Sequence, residues 1–350
     1  MTEAFETDAG ARLRDVEPLP SPEALRRGVQ ARAQTAATVQ QGRRALRDLL
    51  HGQDARRLAV IVGPRAIRDP AVALEYASRL RQLAQTLSGE LVVVMRTCVD
   101  QPLHAPDGEG LVHDPDLDGS GNVARGLRMA RILLRDVNAL GVPCAAEILN
   151  PLMPAYLGDL LAWGGISGRS SESPVHRQLA SGAEFPVGFR GAFDASPDVA
   201  FDVLHSAAQP QRFPGVAHDG RLAVLESAGN PDVHLILGGA AESCDLNAAS
   251  WQDAAACAAE VGISRPLLVD FSQGLARDRH PSQACRTLLR GLRAGRHPIA
   301  GILLESELED RQPQARTRAM QEFPGGDACM GWNESADLLC EIAEAVKLAA

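Results

Sequence analysis

Short apolar runs recur along this 350-residue chain, separated by longer stretches whose apolar positions fall at helical spacing. The runs Leu58–Val62, Leu91–Met95, Ala145–Leu149, Trp163–Ser167, Pro186–Phe189, Val233–Leu237, Leu267–Phe271 and Ile299–Leu304 read as strands one to eight. Helices are predicted over Pro70–Leu87, Gly126–Leu140, Pro197–Ala208 and Ser335–Lys347. A hairpin-like stretch, Val216–Glu226 with Asp219-Gly220 at its turn, precedes the sixth strand. Ahead of the first strand, Ser21-Pro22-Glu23 combines an N-cap, a proline at the first helical position and an acid in the first turn. The following segment, Ala24–Leu50, is rich in Ala, Arg and Gln and reads as helical.

Apolar strands alternating with helices predict an α/β protein, a single (β/α)8 TIM barrel spanning residues 56–350. Residues 1–55 form an N-terminal helical extension, expected to pack on the body or on another subunit, and the β-hairpin is an insertion before strand six. No G-x-G-x-x-G follows the first strand and no G-x-x-x-x-G-K-[ST] occurs, which argues against a Rossmann or P-loop fold.

Composition then narrows the function classes. A net charge of −9 and a pI near 5.5 exclude a basic nucleic-acid surface. Aromatic residues, at 4%, leave few platforms for stacking single strands. No run of about 18 apolar residues exists, so no membrane span is expected. The acidic start MTEAFETDAG has no apolar signal core, which points to a cytoplasmic protein. Lys347 is the only lysine, which disfavours a Schiff base on a buried lysine. The seven cysteines are widely spaced and odd in number, so they read as small buried hydrophobes rather than as disulfides or a zinc site.

In a barrel the active site is built at the C-terminal ends of the strands. Four strands deliver arginines there: Arg65, Arg96, Arg169 and Arg190. Glu147, Asp270 with Ser272 and Gln273, Glu305 and Asp327 stand at or after other strand ends. Converging guanidiniums repel one another unless anions are present, and Arg suits bidentate capture of phosphate or carboxylate. Two arrangements follow: a site for a small, multiply anionic metabolite, or an ion-pair network with Glu147, Glu305 and Asp327.

Several stretches resemble type I 3-deoxy-D-arabino-heptulosonate 7-phosphate (DAHP) synthases over nearly the whole chain. They are Asp114-Pro115-Asp116-Leu117-Asp118-Gly119-Ser120, the run from Gly168 through Arg177 to Gly182, Ser227-Ala228-Gly229-Asn230-Pro231, and Asp327-Ala328-Cys329-Met330-Gly331-Trp332. The resemblance implies a (β/α)8 barrel, homodimers or homotetramers built partly through the extension, and condensation of phosphoenolpyruvate with erythrose 4-phosphate at a divalent metal. It also implies metal ligands that this sequence alters. Glu305 and Asp327 match, but Arg65 stands where the family has Cys and Gln273 where it has His. Of the implied phosphoenolpyruvate contacts, Arg96, Glu147 and Arg169 match and Arg190 replaces a Lys, while Gln101 replaces a Lys and Gly238 an Arg. The Lys-Pro-Arg-Thr motif reads Gln101-Pro102-Leu103-His104.

The expectation is therefore a diverged enzyme without a metal, in which Arg65 fills the vacated pocket and pairs with Glu305 or Asp327. Arg65, Glu147, Glu305, Asp327 and His104 are the candidate catalytic groups. Arg96, Gln101, Arg169, Arg190 and Gln273 are the candidate contacts to a small anionic metabolite. A metal on the remaining carboxylates is the disfavoured alternative. Three functions stay open: an enzyme repurposed for specialised (natural-product) metabolism, a genuine DAHP synthase, or a non-catalytic partner of one. Cys98 reads as loop packing, and His113, His205, His218 and His234 as surface or structurally satisfied residues.

Overall fold

The computed structural model describes residues 17–100, 110–166, 168–190, 197–238, 256, 259–260, 266–272, 280–292, 299–309 and 329–349. Eight parallel strands close into a barrel, β1 (Leu58–Gly63), β2 (Leu91–Arg96), β3 (Cys144–Glu147), β4 (Trp163–Ile166), β5 (Val187–Arg190), β8 (His234–Leu237), β9 (Leu267–Asp270) and β10 (Ile299–Glu305), with β10 returning to pair with β1. Around them lie α3 (Pro70–Thr86), α4 (Val123–Ala139), α5 (Met153–Leu157), α6 (Pro174–Ser181), α7 (Pro197–Ala208), α8 (Pro281–Leu292) and α9 (Trp332–Ala349). The chain is the predicted (β/α)8 barrel. Among the described residues no helix is long and apolar enough to cross a membrane.

Strand alternation sorts the side chains. Leu91, Val93 and Met95 of β2 join the large outer core beneath the helices, whereas Val92 and Val94 join Ile61, Ala145, Trp163, Ile236, Leu268 and Leu303 inside the barrel. The extension closes this interior from below. It forms two helices, α1 (Pro22–Gly28) and α2 (Ala33–Leu50), and Leu46, Leu49 and Leu50 of α2 pack into the interior cluster beside Ala59, Ala162 and Ala300, which lie near strand starts. The helical segment Ala24–Leu50 is thus split into two helices, parted after Gly28, a weak helix former. Ser21 caps α1 as expected, accepting from the Ala24 N–H at 3.2 Å.

Low in the barrel, Trp163 Nε1–H donates to His234 Nε2 at 3.1 Å, and His234 Nδ1 lies 3.0 Å from the Asp232 carbonyl oxygen. These partners select the neutral tautomer with its proton on Nδ1. The histidine is a satisfied core residue.

The inserted hairpin pairs β6 (Gln211–Val216) with β7 (Leu222–Ser227), and Gly220 takes the positive φ of the turn. It therefore starts five residues earlier than the apolar pattern indicated. Pro214 and Gly215 hide β6 from that pattern, and a two-stranded ribbon tolerates the missing proline N–H. Strand ends also run past the apolar residues: β5 includes Arg190 and β10 includes Glu305.

Candidate active site

The inward series of each strand changes character at its C-terminal end. On β2 the inward positions read Val92, Val94, Arg96; on β3, Ala145 and Glu147; on β5, Gly188 and Arg190; on β9, Leu268 and Asp270; on β10, Leu303 and Glu305. An apolar barrel interior is thus topped by a layer of charge. The contacts mostly span one intervening strand: Glu305 reaches Arg96 past β1, Glu147 reaches Arg190 past β4, and Arg190 reaches Asp270 across the strand between β5 and β9.

Glu305 sits at the centre of one half. Its side chain is 3% exposed, and each oxygen accepts from a different arginine: Oε1 from Arg96 Nη1 at 2.6 Å and Oε2 from Arg65 Nε at 3.0 Å. Arg65 does pair with Glu305, as the sequence led us to expect. Glu147 centres the other half. Its Oε1 accepts from Arg190 Nη2 at 3.0 Å and lies 4.0 Å from Arg96 Nη2, so one carboxylate bridges two guanidiniums. Arg190 is held on its second edge by Asp270, whose Oδ2 lies 2.5 Å from Nε in an ion-pair contact not aligned as a hydrogen bond. Asp270 is fully buried, and its Oδ1 accepts from the Ser272 N–H at 2.7 Å and from the Ser272 hydroxyl.

Burial works against the charge on Arg96, but the Cys98 sulfur, Glu305, Glu147 and Asp270 outweigh it and hold the guanidinium well above its ordinary pKa. For Arg190, burial is likewise outweighed by Asp270 and Glu147. Both arginines therefore stay cationic at any working pH. Among the described residues Arg96 Nε has no hydrogen-bond partner, which leaves a buried N–H able to serve an anion's oxygen.

Two residues were given no site role from sequence. Asp270 was placed at the rim with Ser272 and Gln273 but not among the candidate groups, although an aspartate in register with inward Leu268 was the available signal. Asp100, 6% exposed, accepts from His113 Nε2 at 2.8 Å and from the Asn150 N–H at 3.1 Å, tying the end of β2 to the end of β3. Cys98 packs as expected but against the site, next to Arg96 and the Glu147 backbone. Its burial raises the thiol pKa, so it is not an activated nucleophile.

Of the remaining candidates, Arg169 lies in a short 3-10 turn, Gly168–Glu172, with its side chain outside the described residues. Gln101, His104, Gln273 and Asp327 also lie outside them. Gly238 is described, and its backbone, at φ +114°, would put a Cβ 2.4 Å from the Asp270 carbonyl oxygen. This conformation is closed to the arginine that the resemblance places there. Gly238→Ala is accordingly expected to cost roughly 2–4 kcal/mol, read from a denaturation midpoint. An unchanged midpoint would show that the backbone can yield.

The family model described as the DAHP synthetase I family matches residues 30–340. The chain belongs to the DAHP synthetase I family. Among similar proteins, the Phe-sensitive phospho-2-dehydro-3-deoxyheptonate aldolase of Escherichia coli strain K12 is 36% identical, covering 96% of this chain and 97% of that protein. A putative phospho-2-dehydro-3-deoxyheptonate aldolase of Schizosaccharomyces pombe is 34% identical, covering 96% and 93%. A solved structure of phospho-2-dehydro-3-deoxyheptonate aldolase from Francisella tularensis superposes with a TM-score of 0.87 at 30% identity, covering 97% of this chain and 99% of that one.

The divalent metal that the DAHP synthase resemblance implies does not fit the residues present. A guanidinium at position 65 has no lone pair to donate. Both oxygens of Glu305 are already engaged by cations, which would repel a metal. Among the described residues, no group of three or more His, Cys, Asp or Glu side chains could hold a metal ion.

Proposed function

We propose that this chain catalyses a DAHP-synthase-type condensation, joining the enol carbon of phosphoenolpyruvate to the aldehyde carbon of erythrose 4-phosphate. The observation that carries this reading is the charged layer of Arg96, Arg190, Glu147 and Glu305 at the mouth of a barrel of this family. Arg96 and Arg190 are fixed cations suited to the carboxylate and phosphate of an enolpyruvyl phosphate. In the reaction the enol π pair forms the C–C bond, and the aldehyde π pair becomes an alkoxide that takes a proton. Water adds at C2 and gives up one proton, which balances the one taken by the alkoxide; the resulting C2 hydroxyl then gives up its proton to the departing phosphate as the C2–O bond breaks, leaving a C2 ketone and inorganic phosphate. Glu147 sits beside both arginines and is the carboxylate placed to exchange a proton with that water.

A second reading, an enzyme repurposed for a smaller or less charged substrate as in natural-product metabolism, is favoured by the charge balance. Each described rim arginine already faces a buried carboxylate: Arg65 and Arg96 meet Glu305, and Arg190 meets Glu147 and Asp270. A phosphate release assay separates the two. Release that requires both phosphoenolpyruvate and erythrose 4-phosphate is the expected result. No release with that pair, together with turnover of another keto acid or aldehyde, would replace the first reading by the second.

A further inference from the structure

The misfit between this chain and a divalent cation has a positive counterpart in Arg65. Glu305 is gripped by two guanidiniums, but the two are not equivalent. The Arg96 side chain is 5% exposed, whereas that of Arg65 is 24% exposed. Arg65 is therefore the member of the trio that meets solvent, where a substrate arrives. Its Nε bond to Glu305 fixes the plane of the guanidinium, so its charge is aimed before any ligand binds.

We infer that Arg65 is a catalytic residue that takes the place of a divalent cation, holding the Glu305 carboxylate with Nε and stabilising the aldehyde oxygen as it becomes an alkoxide. This inference rests on the condensation reading. It needs no metal, because a guanidinium is charged at every relevant pH and supplies N–H donors where negative charge develops. Arg96 grips Glu305 from the other side, so the pocket is an ion-pair cluster rather than an open ligand set.

The test has two arms. In the first, the full chain is titrated with Mn2+ and binding is followed by electron paramagnetic resonance. No uptake is expected even at millimolar metal, and stoichiometric uptake at micromolar metal would overturn the inference. In the second, phosphate release from phosphoenolpyruvate and erythrose 4-phosphate is measured with and without EDTA, in wild type, Arg65→Gln and Arg65→Ala. EDTA should change nothing. Arg65→Gln should lower kcat roughly 10²–10³-fold while KM for phosphoenolpyruvate moves far less. Added guanidinium should restore part of the activity of Arg65→Ala, and denaturation midpoints check that both variants fold. Activity lost to EDTA, or retained in Arg65→Gln, would overturn the assignment. If wild type releases no phosphate with this pair, the condensation reading and the role of Arg65 in it both fall, while the Mn2+ arm still decides whether the pocket takes a metal.

Discussion

Arg190→Ala should cost about 3–5 kcal/mol of folding stability, a large share of the roughly 5–15 kcal/mol that a domain typically has. The reason is what the variant leaves behind. Asp270 is fully buried and Glu147 nearly so, and both face Arg190. Removing the cation takes the guanidinium from Asp270 and one of two guanidiniums from Glu147 in a low-dielectric layer, and a buried charge that loses its counter-ion is among the most destabilising single defects. Arg190→Lys restores the charge but not the planar fork that meets Glu147 on one edge and Asp270 on the other, so it should recover only part of the loss. Urea denaturation of the three proteins reads this directly. A shift below 1 kcal/mol for the alanine variant would mean that water reaches the layer and that the ion pairs are not holding it together.

Arg131→Met carries the second large effect, at the junction of the extension with the barrel. Arg131 is 1% exposed and donates from Nε to the Val29 carbonyl, from Nη1 to the Tyr156 carbonyl, and to both oxygens of Asp159 at 2.7 Å. Methionine keeps the apolar stem but leaves two buried carbonyls and a carboxylate without their donor, for a loss of about 3 kcal/mol. The loss should depend on pH. Burial tends to raise the Asp159 carboxyl, but the hydrogen bond and charge of Arg131 outweigh it and hold its pKa below the ordinary value. A lowered folded-state pKa adds stability above the unfolded carboxylate value of about 3.9, and that stability disappears as pH falls through the folded value. The gap between wild type and variant should therefore be flat from neutral pH to about pH 5 and narrow below about pH 4. A gap that stays constant into acid would assign the loss to packing alone.

The barrel was legible in the sequence because its strands are buried on both faces, so each reads as a continuous apolar run. The same property concealed where the strands end. Arg190 and Glu305 belong to their strands, yet their polarity placed them in loops. For the site, Arg65 and Glu305 could be paired from sequence because both stand at positions with an implied shared ligand. Asp270 could not, since no implied shared ligand links it to Arg190, and the two meet only because their strands, β5 and β9, both pair with β8. The β6 strand was missed for a local reason, the Pro214-Gly215 pair, and the break between α1 and α2 was missed because Ala- and Arg-rich sequence reads as helix on both sides of Gly28.

We propose that a fixed set of guanidiniums, with no metal, binds an enolpyruvyl phosphate at the barrel mouth. Isothermal titration of phosphoenolpyruvate into chelator-treated protein tests it most directly. Saturable binding is expected with a Kd within about 1 μM–1 mM, weakened at least ~10-fold in Arg190→Lys as a charge-assisted hydrogen bond is lost. No binding to the chelator-treated protein, or binding that appears only after Mn2+ is added, would contradict it.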